Sequence, residues 1–343
     1  MFFLIKIIKI FIRLLKLVGK RQNALVNFII YLNWKKRKDI FNLKFNNNNS
    51  YLSVKELKRK KIWPKKICAN IVFFYRKNRI KFIYEICLEL KKINKNTDIT
   101  IITNISDKRK INFLKNSINK KCKIKVSFFT PKNLLDPRLL LFSHFEVVKN
   151  KIKNKNYSHF LFLEDDLLIK EKNIKYWINA RKSLKPFNLI PVFLRTEKNY
   201  KNKEIYTVDP ISRNKLSSRP RVISRNHNIG FVNLLDFFTP MYFYDRELML
   251  EHLDGPSKSI DFGHGGFNQN LIHPTMIAMG VMERASTMLA FKDVPSGFLH
   301  RNVVPVDLEK NIVQDYCLIK HLSNKFTNSA SSFGRIKVKD LFY

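Results

Sequence analysis

The sequence predicts an α/β fold, a mixed sheet flanked by helices and preceded by an N-terminal amphipathic helix. Three observations carry this. From Lys66 onward, short apolar runs alternate with longer stretches of helical spacing three times over, as a parallel sheet with crossover helices requires. The run Phe160-Leu161-Phe162-Leu163 is apolar at every position, as a central strand covered on both faces must be. Within residues 1–18, Lys6, Lys9, Arg13 and Lys16 fall three, four and three residues apart in an otherwise apolar stretch, so a helix would project all four from one face.

That first helix is read as lying in a membrane interface. A spanning helix needs about 20 nearly uninterrupted apolar residues, and each central Lys or Arg opposes insertion by roughly 2.5–3.5 kcal/mol. A secretory signal would place its charges ahead of a clean apolar stretch and end in small residues, and residues 1–18 do neither. With its apolar side in the acyl boundary and its cations among head groups, the helix suits an anionic membrane surface. The basic clusters Lys35-Lys36-Arg37-Lys38 and Lys58-Arg59-Lys60-Lys61 add a second anchoring signal. Asn46 to Ser50 reads as a break, so residues 1–61 form an association region and linker. The expected location is cytoplasmic, peripheral at the inner face of the membrane.

The body is expected over 62–310. Ile67–Tyr75 reads as a strand, Ile80–Ile93 as a helix, Ile99–Ile105 as a strand, Lys110–Ile118 as a helix and Ile124–Phe129 as a strand. Pro137–Ile152 reads as a helix, its start marked by the N-cap and N1 pair Asp136-Pro137. The apolar strand 160–163 closes on Glu164-Asp165-Asp166, ending a first half over 62–166. In the second half, 167–310, Asn173–Leu184 and Asp245–His252 have helical spacing, as does Met276–Leu289, while Leu189–Leu194, Phe231–Leu235 and Met241–Tyr244 read as strands. Residues 198–228 read as a long loop or edge hairpin, and 311–343 as a C-terminal tail.

Composition narrows the class. With 343 residues, 45% of them hydrophobic, the chain can bury a large core. Four cysteines far apart in sequence, with no C-x-x-C pair, exclude a disulfide scaffold and a sulfur-rich zinc module. The net charge of +38 is uneven: residues 1–156 hold 39 Lys and Arg against 8 Asp and Glu, the remainder 26 against 19. Only 9 glycines occur, while Lys, Asn, Ile and Phe abound, so codon bias on solvated faces accounts for the charge as well as a selected basic surface does.

Three carboxylates at the carboxyl end of a buried strand repel one another and resist burial unless a cation compensates. Ligands of open α/β sheets bind outside those strand ends, where this cluster lies. On an extended backbone Glu164 and Asp166 would point the same way and Asp165 elsewhere, so Asp166 and Glu164 could face one hard divalent ion, Mg2+ or Mn2+.

At this point the residues resemble a family. Three β-α units followed by SHFLFLEDDLLI, NIKYWINARKSL and LIPVFLRTE look like a glycosyltransferase of the GT-A fold, the nucleotide-sugar enzymes with an Asp-x-Asp motif. The resemblance covers about residues 67–305 as pattern and 157–197 as motif. It implies a GT-A-like, Rossmann-type architecture, a nucleotide-sugar donor as cosubstrate and a metal ion bridging the donor diphosphate. Asp166 would be the metal ligand and Glu164 the ribose-side residue, with Asp165 in a lesser donor-binding role. The first motif position is Glu instead of Asp, which bears on ribose contact.

The resemblance also implies a third metal ligand after the last core strand, for which His300 is the candidate. An inverting enzyme would need a base for the acceptor hydroxyl, and Glu283, with Asp261 behind it, is the best-placed acid. Arg219, Arg221, Arg225 and Arg301 have the guanidinium geometry to hold diphosphate oxygens. Asp261-Phe262-Gly263-His264-Gly265-Gly266 concentrates three glycines and reads as an acceptor loop. Tyr176 and Trp177 read as packing residues. The function expected is metal-dependent transfer of a sugar to a glycan or lipid-linked acceptor.

Two other classes share the carboxylates and the basic surface. A metal-dependent nuclease would need a strand-borne Glu-x-Lys partner, but Glu197 is followed by Lys198 and Asn199. A basic nucleic-acid- or membrane-binding α/β protein without transferase activity would show a helix-turn-helix, zinc-finger or RNA-binding aromatic signature if nucleic acid were its partner, and none is present.

Overall fold

A computed structural model describes residues 44–45, 51–132, 134, 136–209, 215–216, 219–224, 228–234, 240–255, 257, 281–295, 297–331 and 333–343, without the side chains of 44, 45, 224 and 281–283. The N-terminal helix expected over 1–18, the cluster 35–38, the break 46–50, Arg225 and Asp261 with its glycine loop lie outside the described residues. No described helix is long and apolar enough to cross a membrane.

The architecture is α/β, with mixed sheets flanked by helices. Its centre is a five-stranded sheet built from β1 (Ile67–Phe73), β2 (Thr97–Thr103), β3 (Val126–Phe129) and β4 (His159–Glu164). These four run parallel in the spatial order β4-β1-β2-β3. A fifth strand, Tyr242–Asp245, pairs antiparallel with β4 and completes the sheet. Every residue of β1 is buried, and so are Phe160 to Leu163 of β4, which explains their unbroken apolarity.

The crossovers are α1 (Ile80–Ile93) and α2 (Lys108–Cys122). Helix α1 buries Ile83, Ile86, Cys87, Leu90 and Ile93, an i, i+3, i+4 stripe. Asp107 caps α2, its carboxylate accepting from the backbone N–H groups of Arg109 and Lys110. Where one helix is expected over 137–152, Pro137–Ser143 winds as a 3-10 turn before α3 (His144–Lys151). That turn brings His144 into an aromatic cluster: its ring centroid is 4.0 Å from Phe145, 4.3 Å from Phe162 and 6.0 Å from His252, and Nδ1–H donates to Leu141 O at 2.5 Å.

A smaller sheet holds the site together. Its strands are β5 (Leu167–Leu168), β6 (Leu194–Lys198), Ile205–Thr207, β7 (Leu318–His321) and Ile336–Lys337. Strand β7 lies between β6, to which it is parallel, and β5, to which it is antiparallel. Residues 311–343, expected as a tail, therefore contribute strands to the body. A third sheet joins Lys44–Phe45, Arg221–Ser224, Ile229–Asn233, Asn302–Asp307 and Ile312–Val313, with Ile190–Pro191 beside Asn302–Asp307.

The helix Val54–Arg59 precedes the boundary expected at Ile62 and docks on the body. Its Leu57 is buried, and Leu52 N–H donates to Asn179 Oδ1 at 3.0 Å. A capping box between Ser53 and Glu56 starts this helix. Tyr176 and Trp177 are buried, in keeping with a packing role.

Candidate active site

The carboxyl ends of β1 and β4 open on a cleft of about 590 Å³. Glu164 and Asp165 line it, and so do Arg76, Arg79, Lys81 and Lys325. Strand β4 ends at Glu164, and Asp165 and Asp166 occupy a turn before β5. The alternation expected of an extended chain therefore stops one residue early. Asp165 is the neighbour that shares a cation with Asp166: Arg79 Nη1 lies 2.8 Å from Asp165 Oδ1, and Nη2 pairs with Asp166 Oδ2. Glu164 is set apart, 4.0 Å from Arg195 Nη1.

Arg79 reaches the turn because it ends the 3-10 segment Lys77–Arg79 that leads from β1 into α1. Asp165 is pinned by its N–H donating to Val72 O of the adjacent strand at 3.1 Å. Behind the turn lies His321, the last residue of β7, with Nε2 3.0 Å from Asp166 Oδ2 and Nδ1 2.5 Å from Glu197 Oε1. Leu322 N–H donates to Asp166 O at 2.7 Å, so the strand after the turn and the residue after the histidine are fixed together. Arg195 is buried and forms a forked pair with Asp209 Oδ1, at 3.0 Å from Nε and 2.6 Å from Nη2.

The electrostatics divide the two aspartates. Burial, reinforced by the charges of Asp166 and Glu164, pushes Asp165 up to about 8 despite the Arg79 guanidinium. Burial also works against ionisation of Asp166, but the hydrogen bond and charge of His321, with Arg79, outweigh it and hold Asp166 below the usual carboxylate range. His321 is correspondingly raised: burial disfavours its charged form, and its bonds to Asp166 and Glu197 more than offset that. Asp165 Oδ2 and Asp166 Oδ1 are buried with no hydrogen-bond partner among the described residues. Unsatisfied carboxylate oxygens suit a hard divalent cation such as Mg2+ or Mn2+, although among the described residues no three acidic, histidine or cysteine side chains are grouped to hold one.

The other expected site residues are placed differently. His300 is not beside Asp166: it is buried with Nε2 2.6 Å from Leu234 O, while Nδ1 lies 3.0 Å from Asn233 Nδ2 and 3.1 Å from Asn302 N. Both ring nitrogens bind the fold, so the histidine at the acidic turn is His321. Arg301 is likewise structural, donating to Asn188 O at 2.9 Å, Asn188 Oδ1 at 2.6 Å and Glu251 Oε1 at 2.5 Å. Arg219 is buried, and Arg221 donates to Leu216 O at 2.9 Å with its charge disfavoured by burial. Neither lines the cleft, whose cations come from the segments after β1, β3 (Arg138) and β7. Glu283 falls on the helix Val281–Thr287, its side chain outside the described residues.

Sequence reading missed Arg79 and His321. The rule that ligands gather at the carboxyl ends of parallel strands would have drawn attention to the loop after β1, where Arg76, Lys77 and Arg79 stand. The signal for β7 is the short run Leu318-Ile319-Lys320-His321, in which Ile319 and His321 face inward.

No protein-family model matches the chain, and no curated protein does. Among solved structures it is similar to the mannosyltransferase PcManGT from Pyrobaculum calidifontis in complex with GDP-Man and Mn2+, at 8% identity and a TM-score of 0.39 over 88% of this chain and 66% of that one. It is also similar to GalNAc-T7 with UDP, GalNAc and Mn2+, at 11% identity and a TM-score of 0.36 over 55% of this chain and 36% of that one. A third likeness is to TarS 1–349 of S. aureus, at 15% identity and a TM-score of 0.29 over 54% of this chain and 48% of that one. The chain thus spans less than two thirds of each of these chains. The chemistry of the cleft follows from its own side chains.

Proposed function

We propose that this chain is a metal-dependent glycosyltransferase of the GT-A type, moving a sugar from a nucleotide-sugar donor to a glycan or lipid-linked acceptor. The observation that carries the reading is one cleft with two opposite chemistries: Asp165 with an unsatisfied oxygen on its wall and Asp166 buried beside it at a strand-ending turn, and Arg76, Arg79, Lys81 and Lys325 around them. A nucleoside diphosphate joined to a metal ion needs both.

In this reading Asp166 would hold the cation with Asp165 beside it, and His321 would join them through Nε2 on losing the proton that Nε2 donates to Asp166. Bound there, a divalent ion supplies neutralisation of the charge that grows on the leaving diphosphate. The cleft cations bind the phosphate oxygens, and Arg79, already engaged with both aspartates, orients their carboxylates. Glu164, at the cleft wall, is assigned to the ribose. An acid of the second half, Glu283 or Asp261, is assigned to take the acceptor hydroxyl proton onto its carboxylate oxygen.

The test is thermal stability of the full chain against UDP-, GDP- and CMP-sugars, with and without Mn2+, since a ligand of the folded state raises its melting temperature. A Mn2+-dependent rise with one nucleotide, absent in Asp166→Ala, is expected. An unchanged rise in that variant would remove Asp166 from the metal site.

The location proposed is the cytoplasmic membrane face, supported by the basic amphipathic sequence of residues 1–18. Co-sedimentation with vesicles containing phosphatidylserine, lost on deleting those residues, is the expected outcome.

A further inference from the structure

We propose that Glu197 is a positioning residue that fixes the ring of His321 toward Asp166 and clasps segment 322–327 onto the cleft. This inference rests on the reading of Asp166 as a cation ligand. Glu197 leaves β6 as a buried carboxylate with four acceptor contacts. His321 Nδ1–H donates to its Oε1 at 2.5 Å, Phe326 N–H lies 2.9 Å from Oε2 and 3.2 Å from Oε1, and Thr327 N–H donates to Oε2 at 2.6 Å.

An ionised carboxylate can only accept, so the proton of this bond belongs to His321 Nδ1. Fixing that nitrogen as the donor turns Nε2 toward Asp166 Oδ2 and Ser323 Oγ, each 3.0 Å away. An imidazole that meets a metal through one nitrogen is commonly oriented in this way through the other. The Phe326 ring stacks on His321 at 5.5 Å and 18°, so the clasp also closes one face of the imidazole.

The same carboxylate decides where Ser323 and Lys325, both cleft-lining, are carried. Around it Asn324 bridges Lys198, accepting from its N–H at 3.0 Å and donating to its carbonyl at 2.8 Å, and Asn328 Nδ2 donates to the same carbonyl at 3.0 Å. Gly334 seals the back of the clasp. Its φ is +68°, and an added Cβ would lie 2.5 Å from Thr327 Oγ1 and 3.0 Å from Thr327 N.

Glutamine has nearly the shape of glutamate but offers one acceptor and an NH2 group. Glu197→Gln must therefore turn donors against either the His321 Nδ1–H or the backbone N–H groups of Phe326 and Thr327. The experiment is 15N NMR of the full chain labelled at histidine, with the His321 signal identified by its loss in His321→Gln, together with Mn2+ titration of wild type and Glu197→Gln. In wild type, Nδ1 is expected to carry a proton. In Glu197→Gln that signature shifts and Mn2+ affinity falls about 10- to 100-fold.

An unprotonated Nδ1 in wild type overturns the proposal even if the variant does not fold. So does a folded Glu197→Gln with wild-type Mn2+ affinity. If wild type binds no Mn2+ while Nδ1 keeps its proton, the reading of Asp166 as a cation ligand falls and the orientation of the ring by Glu197 stands.

Discussion

His321 and His144 are both sequestered from solvent, and the fold drives their protonation in opposite directions. His144 sits among aromatic rings, where burial lowers it to about 4 although the Leu141 carbonyl favours its proton. His252, 6.0 Å away, is also held well below its ordinary value, by burial and by the neighbouring charge of His144. His321 is wedged between Asp166 and Glu197, whose hydrogen bonds outweigh burial and raise it. Burial lowers a histidine even against one carbonyl acceptor, and it takes two bonded carboxylates to reverse the sign. One cluster is an apolar core that tolerates imidazole, and the other is a network of charges that needs each member.

The largest effect expected from this contrast is on the charged side. Asp209→Ala removes the carboxylate that compensates buried Arg195 and should destabilise the fold by about 3–5 kcal/mol in denaturant unfolding. A loss below about 1 kcal/mol would mean that Glu164, 4.0 Å from the same guanidinium, suffices alone.

The pH dependence of the aromatic cluster comes next. A histidine depressed on folding contributes stability that is complete above its unfolded value near 6.5 and is lost as pH falls from there toward about 4. Between pH 7.5 and 5 His144 alone should remove roughly 2 kcal/mol. His144→Leu should flatten that slope in urea midpoints measured across the range, and an unchanged slope would assign it to other groups.

The smallest effect sharpens the comparison as a control. Phe113 is 73% exposed on α2, and Phe113→Ser should alter stability by no more than about 0.5 kcal/mol. A larger change would reveal packing that its exposure does not suggest.

The legibility of the chain follows the same division. The parallel sheet could be read because its forces are local and repetitive: Ile80–Ile93 is a helix over the residues its apolar spacing marks, and the apolar run 160–163 is the buried part of β4. Glu164-Asp165-Asp166 was legible as a cluster because three carboxylates after such a strand are conspicuous. Their orientation was not, because a turn at Asp165 replaces the strand alternation on which the pairing of Glu164 with Asp166 depended.

His321 was missed for a different reason. Nothing near residue 321 in the sequence signals Asp166, and only the pairing of β7 with β5 and β6 brings the two together. His300 attracted attention through its place after the last expected core strand, and Arg301 through its guanidinium. Their hydrogen-bond capacity is used by Leu234, Asn233, Asn188 and Glu251, partners that the sequence does not put beside them.

The bond between Asp166 and His321 spans 155 residues of chain, and the parallel pairing of β6 with β7 closes a comparably long loop. The units around β1, β2 and β3 need only short crossovers, so their contacts can form early and at small entropic cost, whereas long-range closure is slow. During synthesis the acidic turn therefore exists before the histidine that steadies it has been made. The aspartates spend that interval with Arg79 as their nearby cation, and the side of the turn that faces His321 is completed only once β7 has been made.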